Sequence, residues 1–172
     1  MPSTGDAPRP GRYRIDPARS TVEVRTTHLF GLGDVEATFA LRSAEVLLAE
    51  RLEDSHVRAV VDSISFNSHH RGRDKRVQSK ALLNAEAHPD ISFESVSVSN
   101  TDGSLAARGI LTARGHDAPF ELSVVDVAEL DGTLTVVATG TVDRYAHGIT
   151  GAKGFAGRYL DVTVTALGRR IA

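Results

Sequence analysis

Leu105-Ala-Ala-Arg-Gly-Ile-Leu-Thr112, Phe120-Glu-Leu-Ser-Val-Val-Asp-Val127 and Leu134-Thr-Val-Val-Ala-Thr-Gly-Thr-Val142 decide the architecture. Each is a run of strand length rich in β-formers, and turn sequences separate them. Asn100-Thr-Asp-Gly103 precedes the first run and Arg114-Gly-His-Asp117 follows it, while Asp131-Gly132 joins the second to the third. The Asp-Gly pair is the sharpest signal, because the second position of a tight hairpin turn needs positive φ and glycine supplies it. Strands joined by such short turns form an antiparallel meander, since parallel neighbours need long crossovers.

The pattern extends in both directions. Thr21 to His28 alternates, with Val22 and Val24 on one face, and Asp34 to Arg42 sets Val35, Ala37, Phe39 and Leu41 together. His56 to Phe66 reads as a third strand. Ile91 to Val98 is a fourth, with a bulge expected near Ser95 where the apolar phase shifts. Leu160 to Ala166 closes the series. Eight strands are the number that closes into a small ligand-holding barrel, so the fold expected is all-β: an extended eight-stranded antiparallel barrel, lipocalin-like in shape. Period two is lost in the 68–87 connection, which reads as one or two short helices. Ser68 is the expected cap of the first, Ser79 of the second, and His88-Pro89 the stop. Ala146 to Arg158, with Gly148, Gly151, Gly154 and Gly157, reads as a loop that serves as a lid or packs closely near a ligand.

A chain of 172 residues supports one core, expected over 13–172, after a polar, proline-rich segment 1–12 expected to be disordered. Apolar residues make up 41% and charged residues 24%, and the net charge of -2 argues against nucleic acid as a partner. No run is long enough to span a bilayer or resembles a secretory leader. The expectation is therefore a cytoplasmic protein without stable membrane insertion. Cysteine is absent, which removes disulfides and thiolate metal sites. Tryptophan is absent too, and only six Phe accompany many small β-formers. Such strands fill little volume, so a closed barrel lined by them keeps an apolar void, while a tightly packed sandwich accounts for the composition equally well.

Three segments together resemble the YceI-like family of polyisoprenoid-binding proteins. The first is Tyr13-Arg-Ile-Asp-Pro-Ala-Arg-Ser20 running into Val22 and His28, followed by Asp34-Val-Glu-Ala-Thr-Phe39. The second is Ser63-Ile-Ser, then Arg73-Asp74, then Ser79 to Ser95. The third is Gly109-Ile-Leu-Thr-Ala-Arg-Gly115 with Asp143-Arg-Tyr-Ala-His-Gly148. The resemblance implies a barrel closed at one end, a long apolar tunnel and a bound isoprenoid chain or isoprenoid quinone, with no catalysis. His147 stands where the family pattern often has Phe, and Leu82-Leu83 where it often has aromatics, so the tunnel is expected to differ in shape. Many family members are exported, and this chain shows no leader.

By alternation the ligand-lining residues expected are Val22, Val24, Phe39, Phe66, Phe93, Leu111, Phe120, Leu122, Val136, Phe155 and Leu160. His28, Arg73, Asp74 and His147 are the mouth and head-group candidates. The basic run Arg71, Arg73, Lys75 and Arg76 fits either an anionic head group or a plain solvated helix face. No metal is expected, because His69-His70 points two ways and no ligand spacing recurs. No cofactor other than a bound lipid and no nucleophile motif is read. The rival readings are an enzyme using His28, His147 or Asp143 as acid or base inside the cavity, and a stress-response interaction module with a vestigial cavity. Homodimerisation through exposed strands is open to such a barrel, and no residue pattern singles it out.

Overall fold

A computed structural model describes residues 7–28, 33–153 and 156–172. Ten strands follow in chain order: β1 Gly11–Ile15, β2 Thr21–His28, β3 Gly33–Phe39, β4 Leu41–Leu48, β5 His56–Asp62, β6 Asp90–Thr101, β7 Ser104–Ala113, β8 His116–Leu130, β9 Thr133–Asp143 and β10 Tyr159–Arg170. One helix, α1, spans Arg71–Gln78. β1 bonds β4 on one side and β10 on the other, which closes β1-β4-β5-β6-β7-β8-β9-β10 into an antiparallel ring of eight. β2 lies against the first half of β10 and β3 against β2, so this hairpin extends the wall beyond the ring. The eight-stranded barrel and a helix in the 68–87 connection stand as expected.

Ten strands occupy eight positions because two of them are broken by local chemistry. Pro17 has no N–H to give the ladder, and the Asp16 carboxylate accepts from Ala18 N at 3.0 Å, making a short 3-10 turn between β1 and β2. β3 and β4, expected as one strand through Arg42, part at Ala40, whose N–H donates to Ser65 Oγ at 2.7 Å. β5 ends at Asp62 instead of Phe66, since the Asp62 side chain accepts from Ile64 N at 3.1 Å and caps a 3-10 turn over Ser63–Ser65. β1 also corrects the terminus: Gly11 and Arg12, placed in the disordered segment, belong to a strand. Residues 1–6 lie outside the described residues.

The meander follows the turn chemistry. Asp102-Gly103, Arg114-Gly115 and Asp131-Gly132 all adopt positive φ, as two-residue hairpins of that hand require. The expected bulge falls at Ser95/Ser97; Val96 turns out to solvent while Ser95 turns in and its Oγ accepts from Val57 N at 2.8 Å. A second bulge at Val124/Asp126 on β8 shifts the inward phase from Phe120 and Leu122 to Val127 and Glu129.

Two apolar clusters fill the ring. Tyr13, Ile15, Leu41, Leu134 and Ala166 pack at one end, and Phe93, Ala107, Leu111 and Phe120 form the other, with Phe93 and Phe120 edge to face at 5.7 Å. Beside the first cluster the buried Glu129 carboxylate receives Arg9 N at 2.9 Å, Arg9 Nε at 3.0 Å, Arg9 Nη2 at 2.8 Å and Tyr13 OH at 2.6 Å. The bonds from Arg9 hold Glu129 down to about 2 from a carboxyl's ordinary 4.5. A depressed folded value means stability that is complete above the unfolded value and lost as pH falls through the folded one. Urea midpoints should therefore show wild type ahead of E129Q in full at pH 7, with the lead shrinking between pH 4.5 and about 2. A lead that does not change over that window would remove the ionised carboxylate from the account.

Candidate ligand-binding site

The connection after β5 covers the open side of the β2–β3 extension, and its fold is local in origin. His70 Nδ1 accepts from Arg73 N at 3.1 Å and caps α1 in place of the expected Ser68. Ser68 instead donates to Asp74 through both its N–H and its hydroxyl, and accepts from Arg73 Nε at 2.9 Å. Past α1 the chain folds back, with Leu83 N bonded to Val77 O at 2.8 Å and Ala85 N to Gln78 O at 2.9 Å. That turn buries Leu82 and Leu83. Ser79 starts it with its carbonyl, accepting from Leu82 N, while its hydroxyl donates to Arg76 O.

On the opposite side Arg144 organises the glycine-rich loop. It opens a 3-10 turn, Arg144–His147, capped by the Asp143 carboxylate on Tyr145 N at 3.1 Å. Its guanidinium is buried and donates only to carbonyls: Gly157 at 2.8 Å, Ile149 at 2.8 Å, Gly151 at 2.6 Å and Ala156 at 3.1 Å. Burial lowers Arg144 from an arginine's ordinary value. Asp143 does not neutralise it, because its two oxygens pair with Arg158 Nε and Nη2, each at 2.9 Å, which also holds Asp143 below the usual carboxylate value. The loop packs closely on the Leu82 turn, and a Cβ on Gly151 would stand 2.6 Å from Ala81 O.

Between these elements lies a cavity of about 470 Å³ with almost wholly apolar walls. Val24 and Thr26 of β2, Val35, Ala37 and Phe39 of β3, and Leu160 of β10 form one side. The register pairs Val24 with Ala37 and Thr26 with Val35, which puts these residues on one face. Phe66, Val77, Leu82, Leu83, Ile149, Ala152, Ala156 and Gly157 close the other, and His70, Gly72, Arg73, Arg76 and Arg144 complete the lining. Phe39 and Phe66 meet edge to face at 5.4 Å. The volume lies within the roughly 300–1,000 Å³ common for small-molecule pockets, and apolar space of this kind is left by water for an apolar guest.

Of the expected lining residues, Val24, Phe39, Phe66 and Leu160 reach this cavity, and so does Arg73. Val22 is buried one step below Val24. Phe93, Leu111, Phe120 and Leu122 belong to the packed cluster of the ring and Val136 to the cluster around Tyr13, so these five do not line it. The reason is that alternation separates inward from outward residues, and most inward residues of a small barrel fill it. Phe155 and the side chain of His28 lie outside the described residues. Asp74 turns away to Ser68, and buried His147 donates Nδ1–H to His116 O at 2.8 Å without touching the cavity. Among the lining residues missed were Val35 and Ala37, already grouped with Phe39 by alternation, and Arg144, whose signal was an arginine at the head of a glycine-rich loop. Among the described residues no cluster of three His, Asp or Glu could hold a metal, and no helix is long and apolar enough to cross a membrane.

A closed eight-stranded antiparallel barrel with an apolar chamber at one end defines a lipocalin-shaped barrel. The YceI-like domain model matches residues 13–167, and the chain belongs to that family. A UPF0312 protein of Vibrio campbellii is 30% identical over 114 residues, 64% of this chain, and the match spans 60% of that relative's length. Among solved structures, Burkholderia cenocepacia BcnA superposes with a TM-score of 0.79 at 20% identity, covering 89% of this chain and 98% of that one. A polyisoprenoid binding domain from Saccharophagus degradans, implicated in plant cell wall breakdown, gives 0.71 at 11% identity over 92% and 98%. A Campylobacter jejuni YceI protein gives 0.62 at 14% identity over 78% and 85%.

Proposed function

We propose that the protein binds the apolar chain of an isoprenoid-type lipid in the cavity between β2–β3, α1 and the Arg144 loop, without altering it covalently. The observation that carries the reading is the cavity itself: pocket-sized, apolar, and walled by small residues such as Ala37, Ala152 and Ala156. Each methylene moved there from water contributes about 0.8 kcal/mol, and the volume suits a chain of a few isoprene units or the end of a longer one. Membership of the YceI-like family and the polyisoprenoid binding domain from Saccharophagus degradans support the same class of ligand. A carrier role agrees with two of the three acid and base candidates of the enzyme reading, His147 and Asp143, being tied to His116 O and Arg158, while the side chain of the third, His28, lies outside the described residues.

Native mass spectrometry of the purified protein, with organic extraction and with added farnesol, tests this. A stoichiometric apolar species of defined mass, or a 1:1 farnesol adduct, is the expected result. Ala37→Trp should fill the void it faces and cut adduct formation at least tenfold with little change in thermal midpoint. Undiminished uptake in that variant would move the ligand elsewhere, and a protein that never takes up a chain would end the proposal.

A further inference from the structure

Charge is sorted along the barrel axis. Successive connections of an antiparallel meander alternate between its two ends. At one end the β4–β5, β6–β7 and β8–β9 connections carry a single cation, Arg51, against Glu50, Glu53, Asp54, Asp102 and Asp131. At the other, the β5–β6, β7–β8 and β9–β10 connections carry nine Lys and Arg against two carboxylates, Asp74 and Glu86. That second end is the one that holds the cavity. The whole chain has a net charge of -2, so the sorting does not come from a basic composition. Its densest part is α1. Arg71 and Lys75 stand one turn apart on the helix, and Lys80 follows two residues past its end. All three are exposed, and none lines the cavity. Among the described residues none of the three enters an ion pair, whereas seven arginines elsewhere do. Asp74, the one carboxylate of α1, is turned to Ser68.

Unpaired cations gathered on one outer face are complementary to an extended anionic surface. We infer that the outer face of α1, with Arg71, Lys75 and Lys80, docks the protein on an anionic phospholipid bilayer, cavity end toward the membrane. The choice of a bilayer over another polyanion rests on the lipid-binding reading above, because the chain which that reading places in the cavity dissolves in membranes and not in water. The contact is peripheral and electrostatic: Val77 is the only large apolar residue of α1, and it faces the cavity. Each Lys or Arg held near such a surface adds attraction that fades within a Debye length. The acidic far end turns the barrel in that field, so that the cavity end arrives first.

Flotation with vesicles of phosphatidylcholine alone, and of phosphatidylcholine mixed equally with phosphatidylglycerol, tests this. The protein should bind the mixed vesicles more tightly by about tenfold or more, and high salt should release it. The variant Arg71→Gln, Lys75→Gln, Lys80→Gln should lose that preference. It should keep its thermal midpoint and its farnesol adduct, which certify fold and cavity. Arg12→Gln, Arg51→Gln, Arg169→Gln removes as many cations from the far end and should bind the vesicles as wild type does. Equal binding of both vesicles by wild type would overturn the inference and leave the lipid-binding reading standing. Equal losses in the two triple variants would also overturn it, since net charge and not a face would then be at work. So would a preference that survives the loss of Arg71, Lys75 and Lys80. Displacement from the vesicles by an equal charge of duplex DNA would reassign the face to nucleic acid. Vesicle binding by a protein that takes up no farnesol would support the docking face and fell only the lipid-binding reading.

Discussion

Arg144→Met should destabilise the protein by about 3–5 kcal/mol and reduce lipid uptake with it. Methionine keeps most of the volume but donates nothing, so the carbonyls of Ile149, Gly151, Ala156 and Gly157 lose their common partner at once. A buried carbonyl left unsatisfied costs about 1–3 kcal/mol, and water reaching the outer ones recovers part of the total. The loss does not stay local. Ile149, Ala156 and Gly157 form part of one wall of the cavity, and Gly151 seats the loop against Ala81 and Leu82. Arg144→Lys should rescue little, because one ammonium cannot span four acceptors that a planar fork reaches together. Urea unfolding and limited proteolysis of the 148–157 loop measure both effects, and a change below about 1 kcal/mol would show that the carbonyl cluster is not held by this side chain.

The second large effect is expected at Gly109, where β7 crosses the bulge of β6. A Cβ there would lie 2.1 Å from Glu94 O and 2.7 Å from Ser95 Cα. Both are backbone atoms, so no rotamer change relieves the overlap and the two strands must part. Gly109→Ala should cost about 3–5 kcal/mol, in the range of severe core overpacking. Gly103→Ala makes the contrast. That turn has a positive φ of 86° and nothing within 4 Å of the added atom, so only the backbone penalty of about 1 kcal/mol applies. Chemical denaturation of both variants decides the matter. Equal costs would mean that the β6–β7 pair yields where the geometry says it cannot.

The meander was legible from the sequence because its turns are written in residues that few other conformations want, Asp131-Gly132 above all. The Ser95 bulge was legible because a shift of apolar phase has no other cheap explanation in a strand. β1 and β4 were not. Pro17 hides the continuity of β1 with β2, and a register shift between Leu41 and Ser43 spoils the alternation that would have announced β4. The candidate site was half legible for a similar reason. Periodicity placed Val24, Phe39 and Leu160 inward, and it placed Phe93 and Phe120 inward as well. Only packing in three dimensions tells that the first set borders a void and the second set fills one. His70 as the cap of α1 was invisible, since a histidine ring seldom takes that part and Ser68 offered the ordinary alternative.

The broken strand β3–β4 has one more consequence. The ring is closed by long ladders, with eleven paired positions between β9 and β10 alone. Among the described residues, the outer edge of β3 joins the covering connection through a single bridge, in which Thr38 N bonds Asn67 O at 2.9 Å and Asn67 N bonds Thr38 O at 3.0 Å. Parting that seam breaks two main-chain bonds and the Phe39–Phe66 contact beside them, and leaves every ladder of the ring intact. For a guest that leaves through this seam, residence time and resistance to denaturation are expected to depend on different hydrogen bonds. Substitutions along the seam can tune how fast a chain is exchanged while the midpoint of unfolding stays where the ring sets it.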